Sequence, residues 1–92
     1  MISSEKTRRI SSAQLRAARA MLRWSALDLA RVSKVGVATI RRVEVIDGEI
    51  PVTAANEAAI RQALESAGIE FIEGDETGEG VRFRRPRRST RK

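Results

Sequence analysis

Apolar residues recur at helical spacing through most of the first two-thirds of the chain. The pattern breaks where residues able to cap or stop a helix stand. Leu15, Ala18 and Leu22 mark one face of a 3.6-residue repeat, while Arg16, Arg19 and Arg23 fall elsewhere on its surface. Ser11 precedes this run with Gln14 three residues on. That is the capping-box spacing, in which each side chain satisfies the other residue's backbone donor. It predicts a first helix over about 12–22. Trp24 interrupts, and Ser25 with Asp28 repeats the capping spacing. A second helix over about 26–32 follows, with Leu27, Leu29 and Ala30 as its apolar residues. Ser33 to Gly36 read as a tight turn. A third helix starts after Gly36, a weaker N-cap than Ser or Thr, and runs to about Ile46.

Asp47-Gly48 and Pro51 stop that pattern. Thr53 is placed to cap a fourth helix, "AANEAAIRQALESA", which turns Ala55, Ala59, Ile60, Ala63, Leu64 and Ala67 inward. Gly68 stands where a left-handed residue commonly ends a helix. The period then changes to two: "IEFI" and "VRFR" alternate, separated by "EGDETGEG", which reads as a β-hairpin with a long loop. Two strands alone are marginal in water, so the pair must pack on the helices or on another subunit. Pro86 ends the strand pattern. The expectation is an all-α domain of four helices with a short C-terminal β-hairpin. It divides into a flexible basic arm (1–10), a helical domain (11–68), the hairpin (69–84) and a disordered basic tail (85–92).

Composition narrows the chemistry. Ninety-two residues make one small domain. With one Trp, two Phe and no Tyr, its core rests on Leu, Ile, Val and Ala. Trp24 is expected as a plug at the corner of the first two helices rather than a base-stacking group. There is no Cys and no His, which excludes a disulfide framework and the ordinary soft-metal sites. No Gly-rich phosphate loop precedes a helix and no carboxylate pair suggests a catalytic cleft, so no enzyme, metal or cofactor is expected. The acids of "EGDETGEG" suit solvent better than a hard cation. No stretch of about 20 apolar residues spans a membrane, and "MISSEKTRRI" lacks the apolar region of a secretory signal. A cytoplasmic, nucleoid-associated location is expected. The net charge of +6 is a property of the end: the last eleven residues, "RFRRPRRSTRK", hold seven basic groups and no acid. Such a tail attracts polyanions in a strongly salt-dependent way, or serves only to solubilise.

The functional element is the pair of short helices joined by the tight turn. At 100° per residue, Ile40 and Val43 of the third helix point inward with Thr39 flanking them. Ala38, Arg41, Arg42 and Val45 fall on the opposite side, with Val37 near one edge. A DNA major groove suits this surface. Its width admits a helix, guanine O6 and N7 accept from a guanidinium fork, and thymine methyls meet Val or Ala. Arginine also grips phosphate, which positions a protein without reading sequence. A merely solvated helix face is the alternative.

The segment "AQLRAARAMLRWSALDLARVSKVGVATIRRVE" resembles the phage-repressor-like (Xre/Cro-type) helix-turn-helix family. The resemblance is carried by Leu15-Arg16, Arg19, Trp24-Ser25, Leu29-Ala30, Val35, Thr39-Ile40 and Glu44. It extends over about residues 12–84, because the hairpin and charged end resemble a small subgroup of that family. The resemblance implies a lambda-repressor-like helix-turn-helix bundle acting as a sequence-specific transcriptional regulator. Such a protein binds double-stranded DNA as a homodimer on a palindrome, its half-sites roughly 34–36 Å apart. By position, Val37, Ala38 and Arg42 match base contacts. Arg41 and the N-termini of the second and fourth helices (Ser25, Thr53) match phosphate contacts, and the Lys34 ammonium is placed to meet another. The chain departs from the family at three places: Lys34 stands where a left-handed Gly is usual, Ala26 where a DNA-contacting Gln is frequent, and Gly36 where Ser or Thr caps. Glu44 is expected to pair with Arg16 or Arg19. Arg82 and Arg84 are expected on the exposed face of the second strand, extending a basic surface. A rival use of the same fold is a protein-interaction module, an antiactivator or antitoxin-like masker of another regulator.

Overall fold

A computed structural model of the chain describes residues 9–74 and 78–85. Within them lie four helices, α1 (Ser12–Leu22), α2 (Ala26–Ser33), α3 (Val37–Val43) and α4 (Ala54–Ser66), followed by strands β1 (Ile69–Ile72) and β2 (Gly80–Phe83). The fold is therefore mostly helical with a small antiparallel hairpin at its C-terminal end. Residues 1–8 of the expected arm and 86–92 of the expected tail lie outside the described residues, as do Asp75 and Glu76 of the acidic loop. Among the described residues no helix is long and apolar enough to cross a membrane.

Both capping boxes form. Ser11 Oγ accepts from Gln14 N–H at 3.1 Å while Gln14 Oε1 accepts from Ser11 N–H at 2.9 Å. Ser25 and Asp28 repeat the exchange at 3.0 and 2.9 Å. Thr53 Oγ1 accepts from Asn56 N–H at 3.0 Å. Helix α1 ends on Arg23 in the left-handed region, φ 59°, a conformation the sequence pattern does not announce. Helix α3 stops at Val43, short of the expected Ile46, because Glu44 is claimed by α1. Arg16 donates to the Glu44 carbonyl at 2.6 Å, and Arg19 grips its carboxylate with two bonds of 2.6 and 2.7 Å. Both expected partners of Glu44 thus engage it, one at the backbone and one at the side chain.

Leu15, Leu29, Ile40, Val43, Ile60 and Leu64 form the centre of the core, and each is fully buried. Trp24 packs half-buried against it, between α1 and α2. Two apolar residues of the helical pattern are exposed instead. Leu27 is 44% exposed, because it sits on the opposite side of α2 from Leu29, about 200° round the helix. Ala55 is exposed, lying about 140° round α4 from Ile60. In the other direction, Ile10 was assigned to the flexible arm yet is only 1% exposed. Its N–H donates to Glu57 Oε2 at 3.1 Å. Arg9 donates to the carbonyls of Ile50 and Val52 at 3.2 and 2.6 Å, so the folded body begins before the first helix.

The hairpin pairs Ile69 with Phe83, Glu70 with Arg82, Phe71 with Val81 and Ile72 with Gly80. Alternation puts Ile69, Phe71, Val81 and Phe83 on one face, and these pack against the helical core. Gln14 ties the open end down. Its Nε2 donates to the carbonyls of Ile72 and Gly80, one on each strand, at 3.0 Å each. Arg61 lies over the Phe71 ring with its guanidinium carbon 5.3 Å from the centroid, a cation–π contact between α4 and β1.

Two exposed carboxyls are held below their ordinary range. For Asp28 the main cause is the Ser25 N–H, then the Ser25 hydroxyl; for Glu70 it is the hydrogen bond from Arg82. A pKa lower in the folded state means that the associated stability is complete above the unfolded value. It is lost as pH falls below about 4. Replacing Asp28 by Asn and Glu70 by Gln together should flatten the acid limb of a pH–stability curve, read as the denaturation midpoint between neutral pH and pH 2.5.

Candidate nucleic-acid interface

The turn between α2 and α3 is built from three local devices. Lys34 takes the left-handed conformation, φ 65°, and its N–H closes α2 on the Ala30 carbonyl at 2.8 Å. Ser33 Oγ accepts from Val35 N–H at 3.2 Å. Val35 itself is buried and anchors the turn to the core. Gly36 then leads into α3 with no side-chain cap. Because a side chain in the left-handed region is strained where glycine is not, Lys34→Gly should raise stability by about 0.5–1 kcal/mol. Thermal denaturation would register that as a gain of a few degrees.

On α3 the expected division of faces is present. Ile40 and Val43 are fully buried, while Ala38, Arg41 and Arg42 are exposed. Val37 is the exception among the residues assigned to base contact, being half-buried and packed against the core. Val45, just past the helix, is 82% exposed. The α3 axis is fixed at its far end by the Arg19–Glu44 pair, in which both side chains are largely buried. The outward face is therefore held at a set angle to α1.

The electrostatics sort the basic residues into two groups. Arg9, Arg16, Arg19 and Arg84 donate to backbone carbonyls, and Arg84 reaches the Glu65 carbonyl at 3.3 Å. Arg61 and Arg82 sit on carboxylates, Glu57 at 3.2 Å and Glu70 at 3.1 Å. Arg82 and Arg84 are exposed as expected, each with one exposed contact, Arg82 to the Glu70 carboxylate and Arg84 to the Glu65 carbonyl. By contrast, the side chains of Lys34, Arg41 and Arg42 are exposed and make no hydrogen bond or ion pair among the described residues. These three belong to the α2–turn–α3 unit. Arg23 at the end of α1 and Arg85 just past β2 are in the same condition.

Ser25 and Thr53 are exposed at the N-termini of α2 and α4, with their hydroxyls used as caps. At α2 the Asp28 carboxylate already accepts the Ser25 N–H and lies 3.8 Å from Arg31. The helix end that the resemblance offers to a phosphate is thus partly taken by an internal anion. Among the described residues no group of three or more Asp, Glu, His or Cys is placed to hold a metal ion.

Sequence reasoning turned Val45 outward, open to a thymine contact or a partner contact, without placing it among the site residues. The signal was present: 38, 41, 42 and 45 are spaced as one helical stripe. Arg23 was missed because nothing in its neighbours marks a left-handed helix end. No family model, no curated protein and no solved structure matches the chain.

Proposed function

We propose that the chain is a sequence-specific, duplex-DNA-binding transcriptional regulator of the phage-repressor-like helix-turn-helix kind. In this reading α2 and α3 are the helix-turn-helix pair within a lambda-repressor-like bundle, and α3 enters the major groove. The observation that carries it is that Lys34, Arg41 and Arg42 are exposed and have no partner among the described residues, set against the internal engagement of most other described arginines. A cation with no internal partner contributes little to the fold, and it suits a phosphate backbone. Arg42 is assigned to guanine and Ala38 to an adjacent base edge. Arg41, Lys34, Ser25 and Thr53 are assigned to phosphates. Regulation proceeds by occlusion or recruitment at an operator, with no catalytic step and no cofactor, in the cytoplasm on the nucleoid.

Two copies on a palindrome are part of the proposal. The hairpin does not by itself demand a partner, since its apolar face is covered by this chain's own helices. The dimer therefore rests on the family's use of paired half-sites. Selection from a genomic DNA pool followed by sequencing tests the whole reading, using the full chain, an Arg41→Ala/Arg42→Ala variant and a chain ending at Arg85. Enrichment of a palindrome that needs Arg41 and Arg42 supports it. Binding that disappears only on loss of the tail reduces the protein to a nonspecific polyanion binder.

A second reading has its own observation. Leu27 and Val32 on α2 are 44% and 52% exposed, and an open groove lined by Val32, Ala59, Gln62 and Ala63 runs between α2 and α4. That surface suits an apolar protein partner, as in an antiactivator or antitoxin-like module. Failure of all three forms to retain any DNA favours it.

A further inference from the structure

Val45 has no role in the fold. It is 82% exposed, yet its position is not loose. Its N–H points to the Arg42 carbonyl at 3.5 Å, and the preceding Glu44 is held by Arg16 at its carbonyl and by Arg19 at its carboxylate. With Ala38 of α3 it brackets Arg41 and Arg42, which have no partner among the described residues, so the outward side of α3 and the turn that follows present, along 38–41–42–45, a stripe of a methyl group, two guanidinium groups and an isopropyl group in order.

We infer that this stripe reads thymine methyl groups on both sides of the guanine bound by Arg42, with Ala38 meeting one methyl and Val45 the other. The inference rests on the duplex-binding reading above and deepens it. Ala38 lies in the first turn of α3 and Val45 two residues past its end, so the two methyls lie on opposite sides of the base pair that Arg42 meets in each half-site. Charge complementarity selects DNA as the occupant: the apolar groups alternate with unpaired cations, a mixture that suits a groove lined by acceptors and walled by phosphates. Val37 does not share the task, because it packs on the core. Polar readout by a Gln at position 26 is absent, since Ala26 stands there, which leaves methyl recognition a larger share of the discrimination.

The test uses the full chain and the tightest duplex recovered from the genomic selection. Each thymine is replaced in turn by deoxyuridine, which deletes the methyl and preserves the remaining base edge. Two thymines per half-site should each lose about fourfold in affinity, the worth of one buried methyl. In Val45→Ala protein one of these two should become indifferent to the replacement, and in Ala38→Ser protein the other. Both positions are exposed, so circular dichroism should show the fold unchanged. Deoxyuridine tolerated at every position, in a duplex whose binding still needs Arg42, overturns the inference and leaves the duplex-binding reading standing. Sensitivity that neither variant alters overturns the assignment to Ala38 and Val45. Absence of any arginine-dependent duplex binding overturns both together.

Discussion

Replacing Arg41 and Arg42 together by alanine is expected to cost about a hundredfold in affinity for the selected duplex while leaving the denaturation midpoint nearly unchanged. The two halves of that result have separate causes. Neither side chain has a partner among the described residues, and both are exposed, so their removal takes nothing from the fold beyond the ±0.5 kcal/mol usual at surfaces. A bidentate arginine–guanine contact is worth about 1–3 kcal/mol of discrimination, and a phosphate contact adds to affinity without selectivity. The single variants therefore separate. Arg42→Ala should relax the preference at one base pair, whereas Arg41→Ala should weaken all sequences alike and reduce the salt slope by about one. A fluorescence titration at two or three salt concentrations distinguishes them. Equal affinity of the double variant and the parent would show that this face is merely solvated.

Gln14→Glu should destabilise the protein by about 2–4 kcal/mol at neutral pH, more than most conservative changes. The substitution is instructive because Glu serves as well as Gln in a capping box, so the start of α1 is spared. What changes is the other end of the side chain. Gln14 Nε2 donates to two carbonyls, Ile72 and Gly80; a carboxylate there places a buried negative oxygen against two acceptors and removes both of these hydrogen bonds. Protonation relieves the clash, so the variant's folded pKa lies above its unfolded value. Its deficit relative to the parent is then full well above neutrality and shrinks as pH falls towards about 4. Chemical denaturation at pH 7.5 and pH 5 measures the difference. A deficit independent of pH would show that the loss is steric rather than electrostatic.

Much of the architecture was legible because its signals are local. Ser11 with Gln14, Ser25 with Asp28, and Thr53 mark the helix starts through side chains that reach backbone donors only three residues away. The faces of α3 were legible because Ile40 and Val43 cannot share a side with Ala38 and Arg42 at 100° per residue. Glu44 was assigned to Arg16 or Arg19 on charge alone, and the fold employs both. The misplacements are of another kind. Leu27 and Ala55 are apolar residues at helix starts that the core does not reach, while Ile10 is an apolar residue in a charged context that the core does reach.

The proposed site divides along the same line. That α3 carries Ala38, Arg41 and Arg42 on one stripe is a consequence of helical period, available from the order of residues alone. That Arg41 and Arg42 have no partner among the described residues while Arg82 and Arg84 each find one, and that Val37 packs against the core, was decided only by tertiary packing. Helix caps and periodicity act over three or four residues and are written into neighbouring positions. Which cation finds a carboxylate or carbonyl, and which methyl is covered, depends on groups brought from 12 to 28 positions away, a matter of how the elements pack.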